Sequence, residues 1–358
     1  MGDIFEVLEE LRVNAEKSGE EIKTRKIIKD YMVNLKGFKE EQIGNSLIYS
    51  YTTQKQNGKV IAIREDFDAV LTDDGVYEHR CGHHGHTAIL LDFAAKVSES
   101  ADKDVILIFQ SAEETGAGAP ELINNGFFDK YKPDIILGCH NFPGYKENDV
   151  IIRTGNFNNS VIGFKCNLNG KPSHAAYPEH GRSPAYAAAK LVSQLESMGA
   201  SDVNISITHI KMGEYQYGTS AGNAIILGTI RSLDDNLIKA VVKQIDDSLN
   251  KLGSEYNLEV EIETSEYFKG IVNSIDITEQ VKQICIDKSY PITSMEEPFR
   301  AGEDFGFYLD YVKGCYFGIG AGEKHPDLHT KDYYFNINNL KYTSKLIFDI
   351  VSELLEKK

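Results

Sequence analysis

The stretch Val60-Ile61-Ala62-Ile63-Arg64-Glu65-Asp66-Phe67-Asp68 runs from a short apolar segment straight into charged side chains. Its first four residues are apolar without alternation, which is typical of a strand that is covered on both faces of a parallel sheet. Three more runs of this kind precede polar residues, at 105–109, 135–137 and 315–319. Helical patterns occupy residues 4–35, 87–97 and 119–124. We therefore predict an α/β fold in which helices flank a mostly parallel sheet.

A different pattern occupies the middle of the chain. Residues 161–168 alternate like a half-exposed strand, and further strands are predicted at 204–209, 224–232 and 258–264. An Ala-rich helix is predicted at 183–197 and a long amphipathic helix at 234–252. The order of elements is βαββαβ, as in a ferredoxin-like α+β domain. We predict that this smaller domain, residues 158–268, is inserted into a catalytic domain made of residues 1–157 and 269–358.

The composition excludes several classes of protein. The 358 residues are 41% hydrophobic, and the formal net charge of −16 opposes binding to nucleic acid or to an anionic membrane. No apolar run approaches the roughly 20 residues that a membrane span needs. The first residues lack the basic and apolar regions of a signal peptide, and five widely spaced cysteines do not suggest disulfides. A cytoplasmic protein is expected.

Potential metal ligands follow the ends of all four predicted strands. They are Asp66, Asp68, Glu113, Glu114, His140, His325 and His329. Ligands bind at the carboxyl edge of open α/β sheets, so these side chains are expected to converge. One of the two glutamates could bind a metal while the other takes a proton from water, although an ordinary acidic loop is the alternative. Asp68 either supports a ligating histidine or caps a turn.

The densest group of such residues is His79-Arg80-Cys81-Gly82-His83-His84-Gly85-His86, which leads into a predicted helix at Thr87. Cys81 and His83 can chelate one ion from a tight turn, for which the two glycines supply the backbone freedom. A thiolate with an imidazole favours zinc or a similar metal. A polar turn with a buried cysteine is the alternative, but four histidines and a cysteine in eight residues favour a metal site.

These segments resemble, in order, the motifs of dinuclear metal aminoacylases and carboxypeptidases. The resemblance is to the amidohydrolase branch with hippurate hydrolases, indoleacetyl-amino-acid hydrolases and N-acetyl-diaminopimelate deacetylases. Residues 81–88 are similar to Cys-Gly-His-Asp-Gly-His-Thr-Ala, and residues 109–114 to Phe-Gln-Pro-Ala-Glu-Glu. The other matches are 138–144 (Gly-Leu-His-x-x-Pro-Gly), 170–178 (Gly-Lys-Gly-Gly-His-Ala-Ala-x-Pro), 302–305 (Ser-Glu-Asp-Phe) and 328–329 (Leu-His).

The resemblance implies a role for each matching residue. It implies two divalent ions per subunit, zinc or manganese first and cobalt or nickel as further options. The implied ligands are Cys81, His83, Glu114, His140 and His329. Glu113 matches the general base, and Asp68 the carboxylate that orients the site. His174, by itself an ordinary polar residue in a Gly/Pro turn, matches a lid histidine that reaches the active site of a partner subunit. The resemblance also implies that the inserted domain, residues 158–268, is a lid domain through which the chain forms a homodimer.

The chain departs from the motifs at several positions. His84 replaces an aspartate, Phe67 stands where methionine is usual, and Gly302 replaces a serine. The Asn-Val-Ile-Pro segment of the family has its nearest counterpart at residues 223–226. Asn223 and Arg231 are therefore expected as substrate contacts.

The function implied is hydrolysis of the amide bond of a small N-acyl amino acid by a metal-activated water. A dipeptidase or carboxypeptidase with the same metal site is the first alternative. A metal-binding protein with impaired catalysis is the second. The pair Glu113 and Glu114 favours an enzyme, since a site that only binds metal has no need of a spare base.

Overall fold

The computed structural model describes residues 3–53, 58–199 and 201–356. Within these residues the α-helices are α1 (Ile4–Val13), α2 (Ile22–Met32), α3 (His83–Ser100), α4 (Gly118–Asn124), α5 (Phe127–Lys130), α6 (Ala185–Met198), α7 (Asp235–Tyr256), α8 (Ile275–Asp287) and α9 (Asn338–Glu356). The strands of the same residues are β1 (Phe38–Ile43), β2 (Ser46–Tyr51), β3 (Ile61–Asp66), β4 (Val70–Leu71), β5 (Tyr77–Glu78), β6 (Val105–Gln110), β7 (Ile135–Pro143), β8 (Val150–Ile152), β9 (Gly155–Asn156), β10 (Ser160–Asn169), β11 (Ser173–His174), β12 (Val203–Met212), β13 (Thr219–Ser220), β14 (Asn223–Ser232), β15 (Glu259–Phe268), β16 (Val272–Asn273), β17 (Ile292–Ser294) and β18 (Gly314–Gly322). In the same described residues, 3-10 helices cover Pro178–His180 and Asp304–Asp310.

The chain divides into two compact units. Unit 1 contains Met1–Phe157, Ile271–Pro298 and Glu303–Lys358, and unit 2 contains Asn158–Gly270 and Phe299–Gly302. The short segment Phe299–Gly302 therefore belongs to unit 2, although the sequence pattern assigned it to the catalytic domain.

The central sheet of unit 1 has the strand order β1-β2-β6-β3-β7-β18-β8-β17. Its inner strands β6, β3, β7 and β18 run parallel, and β17 pairs parallel with β8. The apolar runs of the inner strands are buried, as expected for strands that are covered on both faces. Helix α3 packs against β3, α1 and α9, and is buried along most of its length. The predicted fold class, a mostly parallel sheet flanked by helices, is confirmed.

The amino-terminal helical segment is shorter than the pattern at residues 4–35 suggested. Helix α1 ends at Val13, α2 begins at Ile22, and the residues between them are not helical. Gly19 in this connection has φ +82°, a conformation that glycine adopts without steric cost. The polar side chains of Ser18 and Glu21 bond to residues that follow β3 and β6, and these contacts replace a continuous helix.

Unit 2 has a four-stranded antiparallel sheet with the order β12-β14-β10-β15. Its main elements follow the chain order β10-α6-β12-β14-α7-β15, which is the ferredoxin-like arrangement that the sequence predicted. Helices α6 and α7 pack against each other and against the sheet. The core between them is apolar, with members such as Leu168, Leu191, Ile226 and Leu249 fully buried. Among the described residues of the whole chain, no helix is both long and apolar enough to span a membrane.

Candidate metal centre

The segment that carries Cys81 and His83 turns sharply at Gly82. Gly82 has φ +97°, and a Cβ atom there would lie 2.3 Å from Asn141 Oδ1 and 2.4 Å from Tyr333 Oη. Glycine is therefore required both for the backbone conformation and for the close approach of two side chains. Helix α3 begins directly afterwards at His83, four residues earlier than the predicted start at Thr87.

Gly85 has a different role from the one that the sequence suggested. It lies inside α3, and the left-handed conformation is not needed there. A Cβ atom at this position would lie 2.3 Å from ring atoms of Phe335. Gly85 therefore allows close packing of α3 against Phe335 and does not shape the turn.

Cys81, His83 and His140 form a buried group whose ligand atoms lie within 4.8 Å of one another. Cys81 Sγ is 3.3 Å from His140 Nε2. The other ring nitrogen of His140, Nδ1, lies 2.7 Å from the carbonyl oxygen of Asn141. Since a carbonyl only accepts hydrogen bonds, Nδ1 carries the proton and Nε2 presents its lone pair to the site.

Glu114 and His329 complete the set of predicted ligands. Cys81, Glu114 and His329 form a second group within 4.8 Å, and Glu114 Oε2 is 3.6 Å from His329 Nε2. The other oxygen, Glu114 Oε1, is 3.6 Å from His83 Nε2. His329 is held in the left-handed region with φ +64°, and its N–H donates to the carbonyl oxygen of Arg80 at 2.8 Å. The structure thus brings all five side chains together.

The chemistry of this donor set fits divalent metal ions. His83 Nε2 and Glu114 Oε1 are buried and have no hydrogen-bond partner among the described residues, although buried polar atoms are normally paired. A thiol, three imidazoles and carboxylates share a small volume, a combination suited to zinc and similar ions. Ions at these positions would satisfy both orphaned atoms.

Asp68 connects the predicted ligands to one another. Its Oδ1 is 3.0 Å from His83 Nδ1, and its Oδ2 accepts the N–H of Glu114 at 2.9 Å. This carboxylate therefore orients one ligand by its ring and the other by its backbone. Burial lowers the pKa of His83, but Asp66 and Asp68 outweigh that effect and raise it to about 10. A metal ion would therefore compete with a proton for this ring.

Glu113 is buried beside the ligands. Its Oε2 lies 3.8 Å from His83 Nε2, and it forms a close group with Asp68 and His83. Burial, with further contributions from Glu303 and Glu114, raises the pKa of the Glu113 carboxyl well above its ordinary value. A carboxylate with a raised pKa is suited to accept and return a proton.

A buried network around Arg64 supports this edge of the sheet. The Arg64 guanidinium is fully buried and lies 2.9 Å from Asp66, 3.1 Å from Glu303 and 2.6 Å from Asp304. Gln110 accepts from Arg64 Nε at 2.9 Å and donates to Asp304. Neither Arg64 nor Gln110 had a predicted role. The signal was present, because an arginine at the end of an apolar strand is buried only when it is paired.

His86 and His84 contact different residues. His86 Nδ1 is 2.7 Å from Asp66 Oδ1, and its Nε2 is 2.6 Å from Asn141 Oδ1. His84, at the position where the motif has aspartate, packs beside His79 with ring centroids 4.9 Å apart, and beside Phe335. Burial lowers the pKa of His84 well below its ordinary value. The departure at His84 therefore changes the surroundings of His79.

Three residues with predicted roles belong to unit 2, whereas the five predicted ligands belong to unit 1. His174 is exposed, and its Nδ1 accepts the N–H of Ala176 at 3.1 Å. Asn223 is exposed at the start of β14, and Arg231 donates to the carbonyl oxygen of Arg300 at 2.7 Å. Their roles stay predictions.

The glycine that replaces the motif serine also has a local explanation in unit 2. A Cβ atom at Gly302 would lie 2.6 Å from the ring of Phe268. A serine at this position would therefore require the ring to move.

Fold and site together define a metallohydrolase. The chain belongs to peptidase family M20/M25/M40, whose model matches residues 57–353. An uncharacterized hydrolase of Staphylococcus aureus (strain bovine RF122 / ET3-1) is 29% identical over 319 residues, 82% of this chain and 81% of the relative.

Solved structures show the same fold at lower identity. The Bacillus subtilis YXEP protein, a dinuclear metal binding peptidase from the M20 family, aligns with a TM-score of 0.80 and 22% identity, over 99% of this chain and 98% of that one. The aminobenzoyl-glutamate utilization protein from Klebsiella pneumoniae aligns with a TM-score of 0.78 and 15% identity, over 99% and 96%.

Proposed function

We propose that the protein hydrolyses the amide bond of small N-acyl amino acids with two divalent ions held by Cys81, His83, Glu114, His140 and His329. The observation that carries the proposal is that two adjacent carboxylates have different surroundings. Glu114 faces His83 and His329, while Glu113 is buried with a raised pKa beside the same His83. One carboxylate is thus available for metal binding and the other for proton transfer.

The residues of unit 1 would divide the reaction as follows. Divalent ions, when bound, lower the pKa of a water and polarise the amide carbonyl. Glu113 accepts the proton of the attacking water and returns it to the leaving amine. Asp68 keeps the ring of His83 and the backbone of Glu114 in place throughout, since it contacts both. Zinc or manganese is our first choice of ion, with cobalt or nickel next.

We further propose that His174 stabilises the oxyanion of a partner subunit in a homodimer formed through unit 2. The tautomer supports this role: the Ala176 N–H occupies Nδ1, so the proton of a neutral His174 lies on Nε2, where it can be donated. Asn223 and Arg231 are proposed as contacts for the substrate carboxylate. We place the protein in the cytoplasm, because its five cysteines are free and buried.

A dipeptidase or carboxypeptidase with the same metal site is the second candidate function. It is favoured by the match to the YXEP protein, whose description is a metal binding peptidase. The name of the Klebsiella relative, an aminobenzoyl-glutamate utilization protein, instead suits an acyl-amino-acid substrate. Rates on acetyl, aroyl and long-acyl amino acids, measured beside rates on dipeptides, separate the two.

The test of the proposed function is the substitution Glu113→Gln, which keeps the size of the side chain and removes the base. We expect turnover to fall by about 100-fold or more, with two ions still bound. Glu99→Gln, at an exposed glutamate of α3, is the control and should leave turnover unchanged. Each protein is assayed after chelation and reloading with zinc, manganese, cobalt or nickel. Turnover by Glu113→Gln close to that of the wild type would overturn the assignment. Two bound ions without turnover on any amide would favour a metal-binding protein.

A further inference from the structure

The connection between α1 and α2 contacts the loop that carries Glu113 and Glu114. Ser18 Oγ donates to Asp68 Oδ2 at 2.6 Å, and Asp68 Oδ2 also accepts the Glu114 N–H. Lys17 forms an isolated backbone bridge with Ala69. One side of the connection is therefore fixed to the residues that follow β3.

Glu21 fixes the other side of the connection to the start of the carboxylate loop. Its side chain is fully buried. Oε2 accepts the hydroxyl of Ser111 at 2.6 Å, and Oε1 accepts the N–H of Ala112 at 3.2 Å and that of Gly19 at 2.8 Å. A cation lies near this carboxylate, since Arg25 Nη1 is 3.6 Å from Oε2.

Ala112 has an unusual backbone conformation that these contacts stabilise. Its φ is +58°, in the left-handed region that residues other than glycine rarely adopt. While Glu21 accepts its N–H, its carbonyl oxygen accepts the N–H groups of Ala117 and Gly118. The residue is thus held from both sides, and the next residue is Glu113. Glu113 therefore directly follows a residue whose backbone conformation these contacts hold in place.

This chain also lacks a constraint that the motif has at the same place. Ser111 stands where the motif Phe-Gln-Pro-Ala-Glu-Glu has proline, and proline fixes its own φ without any hydrogen bond. A serine leaves that torsion free. Here the Ser111 hydroxyl donates to Glu21, and its N–H donates to Ser46 Oγ at 3.1 Å. These two hydrogen bonds therefore restrain the backbone at Ser111, as the ring of a proline would.

We propose that Glu21 is a positioning residue for Glu113: its carboxylate holds Ser111 and the left-handed Ala112, and so directs the base toward the metal centre. The inference rests on the proposed function, since it assumes that Glu113 is the base. It assigns a role in the reaction to a residue of the amino-terminal connection, which touches none of the five ligands in the described contacts.

The test compares Glu21→Gln with Glu20→Gln, a neighbouring glutamate whose side chain is exposed and pairs with Lys17. Glutamine keeps the shape of Glu21 but has only one acceptor oxygen. It can therefore accept hydrogen bonds from Ser111 or from Ala112 and Gly19, but not from both sides. We expect kcat to fall by about 10- to 100-fold with little change in KM, because a misplaced base affects the chemical step and not ground-state binding. Glu20→Gln should match the wild type. Hydrogen exchange of residues 111–117, measured on the metal-free proteins, should be faster by about 10-fold or more in Glu21→Gln alone.

A second substitution separates positioning from a general structural role. Glycine adopts the left-handed conformation without steric cost. Adding Ala112→Gly to Glu21→Gln should therefore raise kcat at least about fivefold above that of Glu21→Gln alone. It should not recover thermal stability, because the contacts of Glu21 are still absent. If Glu21→Gln does not fold, Ser111→Ala serves instead and should give an intermediate loss of kcat.

Several results would overturn the inference. They are unchanged exchange in Glu21→Gln, faster exchange with unchanged kcat, and a loss of kcat that follows stability and is not rescued by Ala112→Gly. A wild-type protein that is inactive on every amide would overturn the proposed function. Hydrogen exchange in Glu21→Gln would then still show whether Glu21 stabilises residues 111–117, independently of any activity.

Discussion

Unit 2 buries an almost wholly apolar core, whereas unit 1 buries charges around its candidate metal centre. Among the described residues of unit 2, the buried polar side chains are Asn158, Ser160 and Ser232, and none of them is charged. In unit 1, Arg64, Asp66, Asp68 and Asp304 are all fully buried. Apolar burial needs only the correct periodicity, while a buried charge also needs a partner at the right position. The two units therefore place different demands on the sequence.

The largest expected effect in this comparison comes from Arg64→Met. The substitution leaves the carboxylates of Asp66, Glu303 and Asp304 without their shared cation, and breaking a buried ion pair typically costs about 3–5 kcal/mol. We expect a loss of unfolding free energy of this size, measured by denaturant titration. Arg12→Met, which removes an exposed pair with Glu9, should have much less effect. A loss below about 1 kcal/mol for Arg64→Met would show that the charge network is dispensable.

Unit 2 should respond as an ordinary hydrophobic core. Leu249 in α7 is fully buried, and Leu249→Ala should reduce the unfolding free energy by about 3 kcal/mol, because the deletion leaves a cavity. Lys251→Ala, on the exposed side of the same helix, is the control. Metal content should stay at the wild-type value in both variants, since all five predicted ligands lie in unit 1. A loss of bound metal in Leu249→Ala would contradict the separation of the two regions.

The smallest effect concerns pH and the pair His79 and His84. Burial, with the charge of His83, lowers the pKa of His79 to about 3, and burial also lowers that of His84. In the unfolded chain both gain a proton near pH 6.5, so stability falls as the pH drops below that value, by up to about 1.4 kcal/mol per pH unit for each histidine.

The substitution His84→Asp would give His79 a counter-charge and raise its pKa in the folded state. We expect this variant to lose about 1 kcal/mol less stability than the wild type between pH 6.5 and 5.5, in metal-free protein. Equal pH dependence in both proteins would assign the acid sensitivity to other groups.

The fold was predictable because its main signals are local. Unbroken apolar runs indicate the parallel strands, alternation and helical periodicity indicate unit 2, and both were confirmed. The start of α3 was misplaced because His83 and its neighbours lack the apolar periodicity of a helix, although tertiary contacts bury them. The break between α1 and α2 was missed for a related reason: polar side chains there bond to residues far along the chain.

The sequence nominated the ligands of the candidate site but not the residues that support them. The ends of the strands pointed to the ligands, and the motifs separated Glu113 from Glu114. No periodicity relates Arg64 to Asp304, which is 240 positions away, or Glu21 to Ser111, which is 90 positions away. Such pairs depend on the three-dimensional arrangement of the strands, so they become visible only when the chain is folded.

The hydrogen bonds on the far side of two histidine rings have a kinetic consequence. His83 contacts Asp68 through Nδ1, and His140 donates from Nδ1 to a backbone carbonyl, so both rings present Nε2 to the centre. An arriving ion meets side chains whose rotation folding has already restricted. Uptake of an ion should therefore not require a search among ring orientations. A chelated protein should be able to reload without unfolding.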